Sequence, residues 1–225
     1  MQGLIGKKLG MTRIFDDDGR RVAVTVIQAG PCVVIQRRNA AKDGYEAVQV
    51  GYAPVKESRV PKPLLGRFRK AGVNPMRHLM EFGIDDGEEL KGGDTVTVSL
   101  FAGVPFVDVT GITKGRGFQG VVKRYNMGGG RMTHGGHSKR RIGAIGQCSY
   151  PARVARGKKM PGHMGNARAT QQNLRVMGVR EDDNVLIVRG AVPGPNGGTV
   201  VVRKSIKRPP DAVEAAGKKD SGGSE

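Results

Sequence analysis

Three of the chain's four histidines, His134, His137 and His163, stand with Cys148 in the middle of the sequence. Imidazole and thiolate are zinc ligands, and imidazole also does general acid–base work. A zinc site ordinarily draws on two pairs of closely spaced ligands. Here only His134-Gly-Gly-His137 forms such a pair; Cys148 and His163 stand alone, so the spacing argues against a metal. An RNA-processing enzyme using His134 and His137 is one alternative, but it would work without carboxylate help, because no Asp or Glu lies near them. Contacts to RNA bases and sugars are the other use of such side chains, and Gln147 joins the three histidines in that role.

A second motif is Gly115-Arg-Gly117-Phe-Gln-Gly120, which has the glycine spacing of a dinucleotide-binding turn and follows the strand-like Phe106-Val-Asp-Val109. Val122 extends it to a kinase-like glycine loop. The first chemistry needs a helix after the last glycine and an acid about 20 residues on to hold a ribose. Gly128-Gly-Gly130 is predicted to forbid the helix, and Lys139-Arg-Arg141 stands where the acid is needed. No catalytic loop or metal-binding Asp follows for the second. No cofactor, metal or small-molecule substrate is expected.

What surrounds these motifs is electrostatically unusual. From Val109 to Arg180 there are 72 residues without an Asp or Glu, carrying 15 Lys and Arg. The chain has 38 basic and 20 acidic side chains, so the other 153 residues hold 23 basic against all 20 acidic, and +15 of the net +18 sits in this tract. Charge runs on solvated faces are usually interspersed with acids; this one is not, and a polyanion is its natural complement. Phosphate partners are assigned to Lys114, Arg116, Lys123, Arg124, Arg131, Lys139, Arg140, Arg141, Arg153, Arg156, Lys158, Lys159 and Arg168, arginines gripping two oxygens at once. The tract is rich in glycine and poor in apolar residues, so it cannot bury a core of its own. As an out-and-back excursion it could reach on the order of 50–100 Å, at ~3.3 Å per extended residue. Aromatics are only 4% of the chain with no Trp, so broad base-stacking platforms are not expected and binding should rest on phosphates.

The elements that must carry this tract are mainly β. Val22, Val24 and Val26 alternate with Ala23 and Thr25, and Val96, Val98 and Leu100 with Thr95, Thr97 and Ser99, the period of half-buried strands. Asp16-Asp-Asp-Gly19 and Lys42-Asp-Gly44 carry turn chemistry. The stretch from Pro54 to Gly83, punctuated by Pro61, Pro63 and Pro75, reads as short helices or a small subdomain packed on the sheet. Val185-Leu-Ile-Val188 and Thr199-Val-Val-Val202, flanking a Pro/Gly/Asn loop, read as a hairpin. A mainly β, barrel-like core follows, without internal repeats. Cys32, in the apolar run Pro31-Cys-Val-Val-Ile35, reads as a small core residue, and two cysteines make no disulfide framework. No apolar run approaches a membrane span and no signal-like N-terminal region is present, so a cytoplasmic protein without a membrane partner is expected.

Four stretches together resemble the bacterial form of the large-subunit ribosomal protein three family. They are Gly6-Lys-Lys-Leu-Gly-Met-Thr-Arg13; Phe101-Ala-Gly-Val-Pro-Phe-Val-Asp-Val-Thr-Gly-Ile-Thr-Lys-Gly-Arg-Gly-Phe-Gln-Gly-Val-Val-Lys-Arg124; Gly157-Lys-Lys-Met-Pro-Gly-His-Met-Gly-Asn166; and Gly190-Ala-Val-Pro-Gly194. The likeness runs from residue 1 to about 208 in family order. It implies an α+β, mainly β fold: a barrel body related to those of translation factors, a small α+β insert, and a long irregular basic extension. It also implies penetration of 23S ribosomal RNA toward the peptidyl-transferase centre, early binding in subunit assembly, and contacts with neighbouring large-subunit proteins. Lys7, Lys8 and Arg13 of the opening motif then join the RNA-contacting set, and the extension's tip falls near Ile145–Ser149. Some members carry a methylated glutamine where Ser149 stands, so that modification does not carry over.

The expected organisation is a body of residues 1–110 with 171–208, an insert at about 54–94, an RNA-penetrating loop over 111–170, and a disordered tail over 209–225. The expected role is structural, a non-enzymatic constituent of the large ribosomal subunit. An RNA-processing enzyme and a nonspecific DNA-compacting protein are the alternatives.

Overall fold

A computed structural model describes residues 1–208 apart from 17, 86 and 87. The tail predicted for 209–225 lies outside the described residues. The first part of the chain runs β1 (Gly3–Phe15), β2 (Arg21–Ala29), β3 (Cys32–Arg38), a single helical turn α1 (Ala40–Asp43), β4 (Ala47–Pro54), α2 (Lys62–Ala71), β5 (Met76–Phe82) and β6 (Thr95–Val96). There follow β7 (Phe106–Ile112), β8 (Gly117–Gln119), α3 (Val121–Tyr125), β9 (Gly162–Met164), β10 (Arg168–Arg180), β11 (Val185–Arg189) and β12 (Thr199–Lys204).

The chain divides into two compact units. One comprises Met1–Ile112 and the chain from Arg168 onward; the other is Thr113–Ala167. In the first, six strands close a barrel in the order β1-β12-β7-β10-β11-β2, and β5-β4-β3-β6 form a second, four-stranded sheet. The second sheet draws on strands from residue 32 onward, well before the irregular stretch at 54. The barrel's Leu4, Ile5, Ile27, Val107 and Leu186 and the sheet's Val34, Val48, Val50 and Phe82 share one core. Removing that apolar surface from water is the main driving force for the unit.

Period-two patterning holds at the start of β2, where Val22 and Val24 are buried and Arg21 and Ala23 exposed, but the phase then slips: Thr25 is buried, its hydroxyl donating to the Gly190 carbonyl at 2.7 Å, and Val26 is only half-buried. Cys32 lies in the same core, where burial pushes its thiol up to about 11 even as Sγ–H donates to the Ile5 carbonyl. Two β expectations are corrected. The alternation at 95–100 yields a strand only over Thr95–Val96, after which Val98–Phe101 coil into a 3-10 turn. That turn buries Val98 and Phe101, and the Thr97 and Ser99 hydroxyls bond each other across its start. Nor do β11 and β12 pair as a hairpin: β11 lies between β10 and β2, and β12 between β1 and β7. The loop between them instead turns back on β1: the Gly197 amide donates to the Lys8 carbonyl and the Lys8 amide to Gly198.

Candidate nucleic-acid interface

The second unit is built on a narrow neck. Thr113 closes it, its amide donating to the Ala167 carbonyl at 2.9 Å while its hydroxyl oxygen accepts from the Ala167 amide at 3.2 Å. Beyond it β8 and β9 pair antiparallel, with Phe118 opposite His163. Gly165 takes φ +77°, and any Cβ there would collide with the Lys114 carbonyl, so the turn holds its shape only with glycine. The five-residue α3 follows Gly120 directly. This corrects the expectation that no helix follows the glycine motif: Gly128 lies far enough on to leave room for one turn and a half before Asn126 ends it in the left-handed conformation.

Val121 of α3 is the buried hydrophobic residue of this unit. Arg124 and Lys159 flank Tyr125, their cationic groups 5.0 and 5.6 Å from the ring centroid. Arg124 also donates to the Met160 carbonyl at 2.8 Å, so part of its hydrogen-bonding capacity braces the neck. From Asn126 to Pro161 the chain forms no helix or strand.

One fold-back in this irregular stretch makes a cleft. The Gly130 amide reaches the Ser138 and Lys139 carbonyls at 3.2 and 3.3 Å, and the Gly136 amide reaches Thr133 at 3.3 Å. The two chain segments approach so closely at Gly130 that a Cβ would lie 2.8 Å from the Ser138 carbonyl oxygen. His134 takes φ +55°, unusual outside glycine, and turns the chain. The result is an open cavity of about 520 Å³ lined by His137, Lys139, Arg140, Arg141, Met132 and the Gly135–Gly136 backbone. Nothing acidic faces it.

The sequence-assigned residues are distributed unevenly. Lys139, Arg140, Arg141 and His137 come together at the cleft; His134 sits on the turn behind it. Lys114, Arg116 and His163 lie along the β8–β9 neck, and Lys123 and the half-buried Arg124 on α3. Arg131, Gln147, Arg153, Arg156, Lys158 and Lys159 are exposed along the irregular stretch, as is Ile145–Ser149. Arg168 opens β10 in the first unit, where Lys7 and Arg13 are also exposed on β1. Lys8 is different. It is only 6% exposed, and its ammonium donates to the Val192 carbonyl at 2.8 Å and reaches Gly194 at 3.4 Å. Its charge is satisfied inside the body, which removes it from the surface set. Asp108, the last acid before the acid-free tract, is likewise buried and accepts from the Asn173 amide at 2.8 Å.

Two residues escaped sequence reasoning. Phe118 is 77% and Tyr150 90% exposed. A low aromatic total conceals them; an isolated aromatic in a tract too polar to bury it was the available signal. Among the described residues no three His, Cys, Asp or Glu side chains converge as a metal site, and no helix is long and apolar enough to cross a membrane.

Residues 80–185 match the family model described as ribosomal protein L3. The large ribosomal subunit protein uL3 of Brachyspira hyodysenteriae is 49% identical over 208 residues, covering 92% of this chain and 96% of that protein. The same-named proteins of Corynebacterium jeikeium and Pelobacter propionicus are each 50% identical, covering 92% of this chain and 95% and 99% of theirs. The chain belongs to the ribosomal protein L3 family. The matched 208 residues of the first relative are too many to fall within either unit alone, so the likeness extends across both. The mainly β body with a closed barrel agrees with the fold expected of the family from the sequence.

Proposed function

We propose that the protein is an architectural, non-enzymatic constituent of the large ribosomal subunit that binds 23S ribosomal RNA through residues 113–167. The observation that carries this reading is that residues 113–167 hold no acid, keep all their cations but the half-buried Arg124 exposed, and bury a single hydrophobic side chain, Val121. Phosphates of folded RNA would occupy the Lys139–Arg141 cleft and line Arg131, Arg153, Arg156, Lys158 and Lys159. His134, His137, Gln147 and His163 would meet bases or 2′-hydroxyls, where RNA is distinguished from DNA. The exposed aromatics add stacking surfaces. The body would dock on the RNA exterior through Lys7, Arg13 and Arg168, without Lys8. Early binding in assembly, contacts with neighbouring large-subunit proteins, support of the region near the peptidyl-transferase centre and residence in the cytoplasm belong to the same reading, as the family resemblance of the sequence implies.

Counterion release tests it. Replacing Lys139, Arg140 and Arg141 together by Ala should reduce the salt slope of binding to a 23S RNA fragment by roughly 2 to 3, each phosphate contact contributing about 0.7–0.9. An unchanged slope would remove the cleft from the interface. Equal affinity for duplex DNA at matched salt would instead favour a nonspecific compacting role.

A separable prediction concerns Phe118. Phe118→Ala should weaken binding of the same RNA about 5- to 150-fold, the ~1–3 kcal/mol of one stacked base, while leaving the salt slope untouched. A fall in slope without that affinity loss would mean the ring only props the neck.

A further inference from the structure

The body holds a second cavity, of about 580 Å³, where the barrel meets the four-stranded sheet. Lys7 and Thr199, opposite one another on β1 and β12, form its barrel wall. Tyr52 and His78, opposite one another on β4 and β5, form its sheet wall. His78 Nε2 lies 3.2 Å from Thr199 Oγ1, joining the two walls. Lys7 and Arg77 are exposed cations at the cavity, and no acidic side chain lines it. Pro31, Pro54 and the half-buried Tyr52 give it a flat apolar stretch, and Gln28 with the backbone of the neighbouring glycines completes the lining.

The backbone is strained at the same place. Ala53 takes φ +62° inside β4, a conformation that costs an L residue with a Cβ and is further disfavoured directly before a proline. Strain of this kind persists where the surroundings over-determine it, and such places cluster at ligand sites. Burial, together with the Arg77 charge, holds His78 below its ordinary value, so near neutral pH its ring is an uncharged hydrogen-bonding group.

A cavity within the ~300–1,000 Å³ range of small-ligand sites, with an apolar stretch at Pro31, Tyr52 and Pro54 and two cations in its lining, suits one ligand chemistry: a planar heterocycle carrying a phosphate. We propose that this cleft seats a single unstacked nucleotide of RNA, its phosphate between Lys7 and Arg77 and its base against Tyr52 and the flanking prolines, with His78 bonding the base edge or sugar. The proposal rests on the RNA-binding reading above but places a distinct contact on the body, away from the acid-free tract in sequence. Arg77 and His78 belong to no motif noticed in the sequence, and nothing in their spacing marks them; the fold alone brings them to Lys7.

The full-length chain with adenosine monophosphate as probe provides the test, read at the His78 Cε1–H resonance, which a His78→Gln variant identifies. The nucleotide should move that resonance saturably. Arg77→Ala or Lys7→Ala should raise the half-saturating concentration about tenfold or more, as expected for loss of one hydrogen bond to a charged group. Both residues are exposed, so misfolding does not confuse the result. Inorganic phosphate should need at least about tenfold more than the nucleotide, since it lacks the base that the apolar stretch holds. No movement of His78, or identical movement in the Lys7→Ala/Arg77→Ala double variant, would overturn the site; equal potency of phosphate and nucleotide would overturn the base seat. The salt slope of the Lys139–Arg141 variant is read separately, so failure of the extension's role and failure of this cleft are distinguishable.

Discussion

In amide hydrogen exchange on the free protein, barrel amides are expected to exchange about four orders of magnitude or more slower than those between Asn126 and Pro161. The contrast follows from where backbone groups find partners. β1, β2, β7, β10, β11 and β12 close a barrel in which each strand has two partners, although along different stretches, as where β1 meets β12 over Gly3–Lys7 and only β2 from Gly10 to Phe15; the amides paired inside the ladders open only when the body unfolds. Between Asn126 and Pro161, among the described residues, the amides meeting a backbone carbonyl in hydrogen-bond geometry are those of Gly130, Gly136, Arg141 and Lys158. No buried side chain holds these turns shut, and like charges on Lys139, Arg140 and Arg141 push against closure of the cleft. The neck is expected to be intermediate, with the paired amides of β8 and β9 protected weakly by so short a ladder. Adding a 23S RNA fragment should raise protection over 126–161 and change the barrel little. Strong protection there in the free protein would mean that the fold-back is stable by itself, and the premise that a polyanion completes it would fall.

The distinction was visible in the sequence because it depends on composition and not on register. The run from Val109 to Arg180 announces itself by what it lacks, and no tertiary detail alters that. The alternating valines of β2 were legible in part: Val22 and Val24 keep period two, but Thr25 takes the buried place that alternation gives to Val26. Pairing was not. Val185–Val188 and Thr199–Val202 each read correctly as strands, but β11 folds back on β10 just before it and on the distant β2, while barrel closure seats β12 between the distant β1 and β7. The reading of Gly120 failed for a smaller reason: a helix of five residues fits ahead of Gly128, and the glycine triplet limits its length without preventing it. Lys8 shows the limit for site residues. Beside Lys7 in the opening motif it looks like one more cation, yet a bulge between Lys8 and Gly10 and the loop through Val192 and Gly194 turn its ammonium inward. Charge type is written in the sequence; the direction in which a side chain points is written in the fold.

Phe101 gives the largest expected stability change. Phe101→Ala should destabilise the protein by about 3–5 kcal/mol in denaturant unfolding, with the loss carried by the transition midpoint. The ring is fully buried, in the same cluster as Val98, Val107 and Leu174, so truncation removes apolar contacts and leaves a cavity among strands that cannot collapse without breaking the ladder between β7 and β10. This is also where period-two reading fails: continued as a strand, Leu100 and Phe101 would face opposite sides, whereas the 3-10 turn of Val98–Phe101 carries residue 101 onto the side of residue 98. The neighbouring Leu100, half-buried, should cost less on the same truncation. If Leu100→Ala proved as damaging as Phe101→Ala, the strand would be the better description after all. Because the extension shares no buried residue with this cluster, Phe101→Ala should leave the exchange of Asn126–Pro161 amides as fast as before, separating the stability of the body from the ordering of the cationic tract.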